Sequence, residues 1–315
     1  MDCFRQSGCD GAVDLVVSTG RRIIDAHHHL WDLNASRYPW LEEKGVVRFF
    51  GDPAPIQRNY LADELREDAS DYQLHGSVHI QVGVAEGDEV KESLWLDQAA
   101  DISGLPSALV AFCDLAAGDA QHILDRQQAI GRVRGIRHIV GRSSAEDAKT
   151  GSDSLLQNPA WLKNLDSLRE RDLSFDLQLI PPQVDRVAQI LESIPGLRVA
   201  LCHCGSPWEQ TSAGLASWRA GLQRLARNPD VYCKISGLSM FNHDWTVADL
   251  RPIVESCVEI FGARRCMFGS NFPVDKLHKT WSEIWRAYEH LSASCSADEQ
   301  ERLFAGTAAE FYRID

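Results

Sequence analysis

The chain has no apolar run approaching the roughly 18 residues that cross a bilayer, so no membrane partner is expected. Basic runs are missing too. Lys and Arg number 32 against 45 Asp and Glu, a formal charge of −13, which leaves no footprint for phosphates and excludes nucleic acid as an expected partner. The opening residues MDCFRQSGCDGAVDLVVSTG lack the basic segment and apolar core of a secretory signal. Residues 1–20 are therefore expected to be a flexible extension ahead of one domain over residues 21–315. Cysteine is plentiful, with nine residues, but unpatterned. Cys202 and Cys204 flank His203, yet no second pair stands at zinc-finger spacing, so these two are expected to pack rather than bind metal. The set as a whole reads as buried, reduced thiols of a cytoplasmic protein.

What is present is a rhythm of short apolar runs and amphipathic stretches. The runs are RRIIDA from Arg21, GSVHIQV from Gly76, ALVAFCDL from Ala108, VRGIRHI from Val133, LSFDLQL from Leu173, RVALCH from Arg198, VYCKIS from Val231 and CMFGS from Cys266. Helical spacing follows over Glu89–Ala100, Asp119–Ile130, Pro159–Arg171, Gln183–Ile194, Ala213–Arg227, Val247–Phe261 and Leu277–Leu291. Eight such units predict an α/β fold, a parallel (β/α)8 TIM barrel. A last helix near Ala297–Tyr312 is expected to lie across its outside. The segment from Trp31 to Asn59 is long for a loop and carries Trp31, Tyr38, Trp40, Phe49 and Phe50, so it reads as an aromatic lid after strand one.

In a parallel barrel the chemistry gathers at the carboxyl ends of the strands. Strand one ends in Asp25-Ala26-His27-His28-His29, and period-two alternation puts His27 and His29 on one face with His28 on the other. Strand six ends LCHCGSP, bringing His203 to the same rim. His79 and Gln81, Arg137, Asp176 and Gln178, and Lys234 stand near the ends of strands two, four, five and seven. Any one of these is as readily a structural polar group as a functional one; together they look like an active site.

The phrases IIDAHHHLWDL, RYPWL, SVHIQV, VRGIRH, LCHCGSP, YCKISGL, FGSNFPVD and LFAGTAAEFYRI resemble, in order, the amidohydrolase-2 family of TIM-barrel hydrolases over Ile23 to Ile314. Within it the chain is most similar to the branch holding sugar-acid lactonases and the pyrone-dicarboxylate lactonase. The resemblance implies a catalytic centre of His27, His29 and His203, with an aspartate after strand eight. Here that position is Asn271, which can accept a hydrogen bond but cannot serve as a carboxylate base. Either Asp275 reaches in from the loop, or three histidines hold one metal with an open position for water, or the mechanism is metal-free.

The expected reaction is hydrolysis of a small carboxylated or sugar-derived lactone, with water attacking the ring carbonyl at the His27/His29/His203 centre. An imidazole-dominated set favours a borderline divalent ion, zinc first. Trp31, Tyr38, Trp40, His79, Arg137, Gln178 and Lys234 are the expected contacts to this small-molecule substrate, with Arg137 and Lys234 placed for a carboxylate. The alternatives are a metal-dependent non-oxidative decarboxylase and a catalytically decayed binding barrel marked by Asn271.

Overall fold

The computed structural model describes residues 20–150 and 152–315; the extension expected over residues 1–20 lies, up to residue 19, outside the described residues. Eight strands form one parallel sheet in sequence order: β1 Ile23–His28, β2 Leu74–Ile80, β3 Ala108–Ala111, β4 Val133–Ile136, β5 Ser174–Leu177, β6 Val199–Leu201, β7 Val231–Ile235 and β8 Cys266–Phe268. Closure comes just past the strand ends. The Asn271 N–H donates to the His27 carbonyl and the His29 N–H to the Phe272 carbonyl, each at 2.7 Å. The protein is a (β/α)8 barrel, as the repeating pattern predicts.

The strands are short because both faces must be covered. Along β8, Cys266 and Phe268 join the large cluster packed under the helices, while Met267 joins Ile24, Ala26, Val78, Ile80, Ala108, Val110 and Ala200 inside the barrel. The same alternation in β5 and β7 leaves Asp176 and Lys234 pointing inward between outward Phe175, Leu177, Cys233 and Ile235.

The outer layer consists of α1 Ala62–Asp68, α2 Glu89–Ser103, α3 Ala120–Gln128, α4 Pro159–Glu170, α5 Val184–Glu192, α6 Ser212–Ala226, α7 Val247–Phe261 and α8 Trp281–Leu291. Their starts follow the sequence: Asn158 accepts from the Ala160 and Trp161 N–H groups ahead of Pro159, and Thr246 and Thr280 form capping boxes with Asp249 and Glu283. The expected helical stretch over Leu277–Leu291 starts later than its sequence pattern, at Trp281, because Asp275–Leu277 is a separate 3-10 turn.

Two expectations are corrected. The stretch over Ala297–Tyr312 is helical but does not lie across the outside: Ala305, Ala308, Phe311 and Tyr312 pack with the inward residues of the strands and plug the amino-terminal end of the barrel. Cys113, Cys202, Cys204, Cys233, Cys257 and Cys266 are free and buried, whereas Cys295 is disulfide-bonded, against the expectation of reduced thiols throughout. No helix among the described residues is long and apolar enough to cross a membrane.

Candidate active site

The register between β1 and β2 is irregular between Asp25 and His28, and such a bulge re-aims the side chains it carries. The His27 ring lies 5.1 Å from that of His29 and 4.4 Å from that of His203, centroid to centroid. His28 turns elsewhere, to Ser77 Oγ at 2.9 Å. His203 sits in a tight turn after β6 with a left-handed backbone, φ +53°, a conformation costly for a residue with a Cβ. Ser236 Oγ, 3.0 Å from His203 Nδ1, fixes its ring. Gly237 has to be glycine: φ is +65° and a Cβ there would collide with the His203 imidazole.

His29 is oriented by a carbonyl. Its Nδ1 is 2.7 Å from Ile80 O, an acceptor only, so Nδ1 carries the hydrogen. Burial, with Arg137 nearby, lowers the His29 imidazole to about 3, so at neutral pH Nε2 presents a lone pair. That lone pair faces Asn271 Oδ1 at 3.3 Å. Burial likewise holds His27 and His203 well below the ordinary imidazole range, His203 and Arg137 respectively being the strongest neighbouring influences. Both ring nitrogens of His27 are buried and have no hydrogen-bond partner among the described residues.

Asn271 also has a left-handed backbone, φ +57°, and is 1% exposed. Its Nδ2 donates to Asp275 Oδ1 at 2.7 Å, and Asp275 Oδ2 accepts from the Ser239 N–H at 3.2 Å. Asp275 thus stands behind Asn271 rather than reaching the histidines from the loop. Burial raises its carboxyl to about 7. Asp25 has no place in the sequence-based site, yet it ties the site together: Oδ1 accepts from the His27 N–H at 3.1 Å and the Ser270 N–H at 2.9 Å, joining β1 to the turn after β8.

A cavity of about 560 Å³ opens above these residues, lined among others by His29, His203, Asn271, Trp31, Trp40, Arg137 and Gln178. The segment after β1 roofs it. Trp31 and Trp40 meet edge to face at 5.6 Å, and Phe49 and Phe50 continue the aromatic wall. Arg137 is gripped from two sides, Nη1 donating to Gln178 Oε1 at 3.3 Å and Nη2 to the Gln81 carbonyl.

Three expected substrate contacts fall elsewhere. Lys234 Nζ lies 2.5 Å from Asp176 Oδ2 inside the barrel with both side chains fully buried, so its charge is already matched. Tyr38 is fully buried in the core beneath the lid and does not line the cavity. His79 accepts the Leu30 N–H on Nδ1 at 3.0 Å, bracing the backbone just past the histidine pair. Conversely, Arg142, Met240 and Val274 line the cavity although the sequence singles out none of them.

The donor set fits a borderline divalent cation: two orphaned nitrogens on His27, the lone pair of His29 Nε2, a His203 ring fixed through Nδ1, and Asn271 Oδ1 facing them. Among the described residues the three ligand atoms that all lie within 4.8 Å of one another are those of Cys204, Cys233 and Cys257, which belong to the packed core away from the cavity; the histidine nitrogens would have to draw together around an ion.

Residues 24–314 match the family model described as amidohydrolase. The chain belongs to the amidohydrolase family. This amidohydrolase is 36% identical over 294 residues to the uncharacterized protein y4mH of Sinorhizobium fredii, covering 93% of this chain and 98% of that one. It is 29% identical over 304 residues to an L-fucono-1,5-lactonase of Burkholderia multivorans, covering 92% and 96%. A crystal structure of an amidohydrolase from Burkholderia multivorans with bound zinc superposes with a TM-score of 0.78 at 27% identity, covering 93% of this chain and 99% of that one. The family resemblance read from the strand-end motifs is borne out, and with it the expectation of a hydrolase.

Proposed function

We propose that this amidohydrolase opens a small lactone, sugar-derived or carboxylated, to its hydroxy acid. The observation that carries the reading is the gathering of the His27, His29 and His203 rings at the base of the aromatic cavity, with His27 unpartnered at both nitrogens among the described residues. The likeness to a protein named as an L-fucono-1,5-lactonase supports the choice of a lactone.

The three histidines would hold a divalent ion, zinc first, which when bound polarises the ring carbonyl and acidifies water at the site. Asn271 presents its amide to the same space and is kept in register by Asp275, so it holds water or substrate without taking the proton. Gln178 and Arg137 face the cavity as donors for ring oxygens or for an oxyanion as it develops. Trp31 and Trp40 close over the ring and shut out bulk water, which strengthens every polar contact beneath them.

The decisive experiment is a screen of five- and six-membered sugar lactones and lactone acids with a pH indicator, on protein of measured metal content. Acid release that disappears on chelation and returns with zinc is the expected result. Release of CO₂ in place of acid from carboxylated substrates replaces hydrolysis with decarboxylation. Activity that appears only in Asn271→Asp marks a decayed barrel.

A further inference from the structure

The cavity is cationic inside a protein of formal charge −13. Three arginines line it. Arg48 is matched by Glu43 at 2.6 Å. Arg137 and Arg142 form no ion pair among the described residues. Arg137 is 5% exposed, its two terminal nitrogens go to uncharged oxygens, and its Nε is buried with no partner. Arg142 is half-buried: its backbone N–H donates to both oxygens of Asp147 at 3.0 and 3.1 Å, while its guanidinium makes no hydrogen bond or ion pair among the described residues. Glu146 also lines the wall and eases the field at Arg142 without pairing with it.

Two like charges facing one partly dry cavity repel each other and are poorly solvated, a cost that an entering anion offsets. Trp40, Phe49, Phe50, Val82 and Ile139 make much of the remaining wall apolar, and its two carboxylates, Glu43 and Glu146, would not favour an anion, so the compensation falls to the guanidinium groups. A guanidinium fork matches a planar carboxylate with two parallel hydrogen bonds.

We propose that this side of the cavity is a carboxylate subsite, in which Arg142 and Arg137 bind an acid group borne on the substrate, so that lactone acids are preferred over uncharged sugar lactones. The proposal rests on the lactone-hydrolase reading for its substrate but not for its binding chemistry. With Lys234 committed to Asp176, Arg142 takes the place that strand-end reasoning had assigned to that lysine.

Binding separates the two claims. Quenching of tryptophan emission, with Trp31 and Trp40 in the cavity wall, is titrated on metal-replete full-length protein with a six-membered lactam carboxylate, which has no scissile ester, and with its methyl ester. The acid is expected to bind about tenfold tighter than the ester, with the advantage shrinking in high salt. Arg142→Met should abolish that advantage and Arg142→Lys retain part of it, both with an unchanged circular-dichroism spectrum. Equal affinities in the wild type, no binding of either probe, or an advantage that survives Arg142→Met each overturn the subsite. Hydrolysis of uncharged lactones without preference for acids overturns the subsite and leaves the reaction standing. Preferential binding of the acid by a protein that opens no lactone removes the reaction and leaves the subsite.

Discussion

The barrel interior and the barrel mouth bury polar groups in opposite ways. Inside the barrel, Lys234 is matched by Asp176, and Tyr312 from the plugging helix donates toward both oxygens of the same carboxylate at 3.0 and 2.9 Å. At the mouth, among the described residues, His27 has no partner at either nitrogen, Arg137 leaves Nε unpaired, and Asn271 and His203 sit in left-handed backbone. A buried polar network with every member satisfied rigidifies a fold; one left open and strained is kept for something that arrives. The interior network is therefore read as structure and the one at the mouth as chemistry.

Lys234→Met tests the interior most severely. Removing one partner strands the buried carboxylate of Asp176, and a loss of about 3–5 kcal/mol in unfolding free energy is expected from denaturant titration. The double variant Lys234→Met with Asp176→Leu should recover much of it; a single variant as stable as the wild type would erase the contrast between interior and mouth. His27→Ala reverses the pattern. Hydrolysis should fall about 10³-fold or more, close to 4 kcal/mol of barrier, while unfolding shifts by less than about 2 kcal/mol. An equal loss of stability and activity would make His27 a structural residue.

Glu92 sharpens the comparison through pH. It is buried beside the lid at 1% exposure, and desolvation raises its carboxyl to about 8 from the ordinary 4.5. The unfolded chain releases that proton near pH 4.5 and the folded chain holds it to about pH 8, so stability is greatest below that window and falls as pH rises through it. Glu92→Gln should flatten the decline by on the order of 2 kcal/mol, read as melting temperature against pH. A slope identical to the wild type would show that the carboxyl ionises without penalty. The smallest effect belongs to the roof: Trp40→Ala should lower kcat/KM by about tenfold with little change in melting temperature. Unchanged kinetics there would remove the lid from the site.

Sequence by itself determined the barrel and which histidines gather at one end of it. Period-two and period-3.6 patterns are local, so all eight strands and seven of the eight outer helices were legible, the short helix Ala62–Asp68 being missed; the clustering of His27, His29, His203 and Asn271 at the strand ends was legible as well. Asp275 was legible as a neighbour but not as a support, since its reach to Asn271 depends on the turn between them. Only the tertiary structure decided which polar residues were free. Lys234, His79 and Tyr38 read as substrate contacts until Asp176, the Leu30 N–H and the core under the lid claimed them. Asp25, Ser236 and Gly237 carry no chemical signature in the sequence, and their value comes from what lies across from them. Arg142 is the same case in reverse: an ordinary arginine in a loop becomes a charge without a partner because the barrel closes a cavity around it. Pairing is a property of distance in space, which local pattern does not contain.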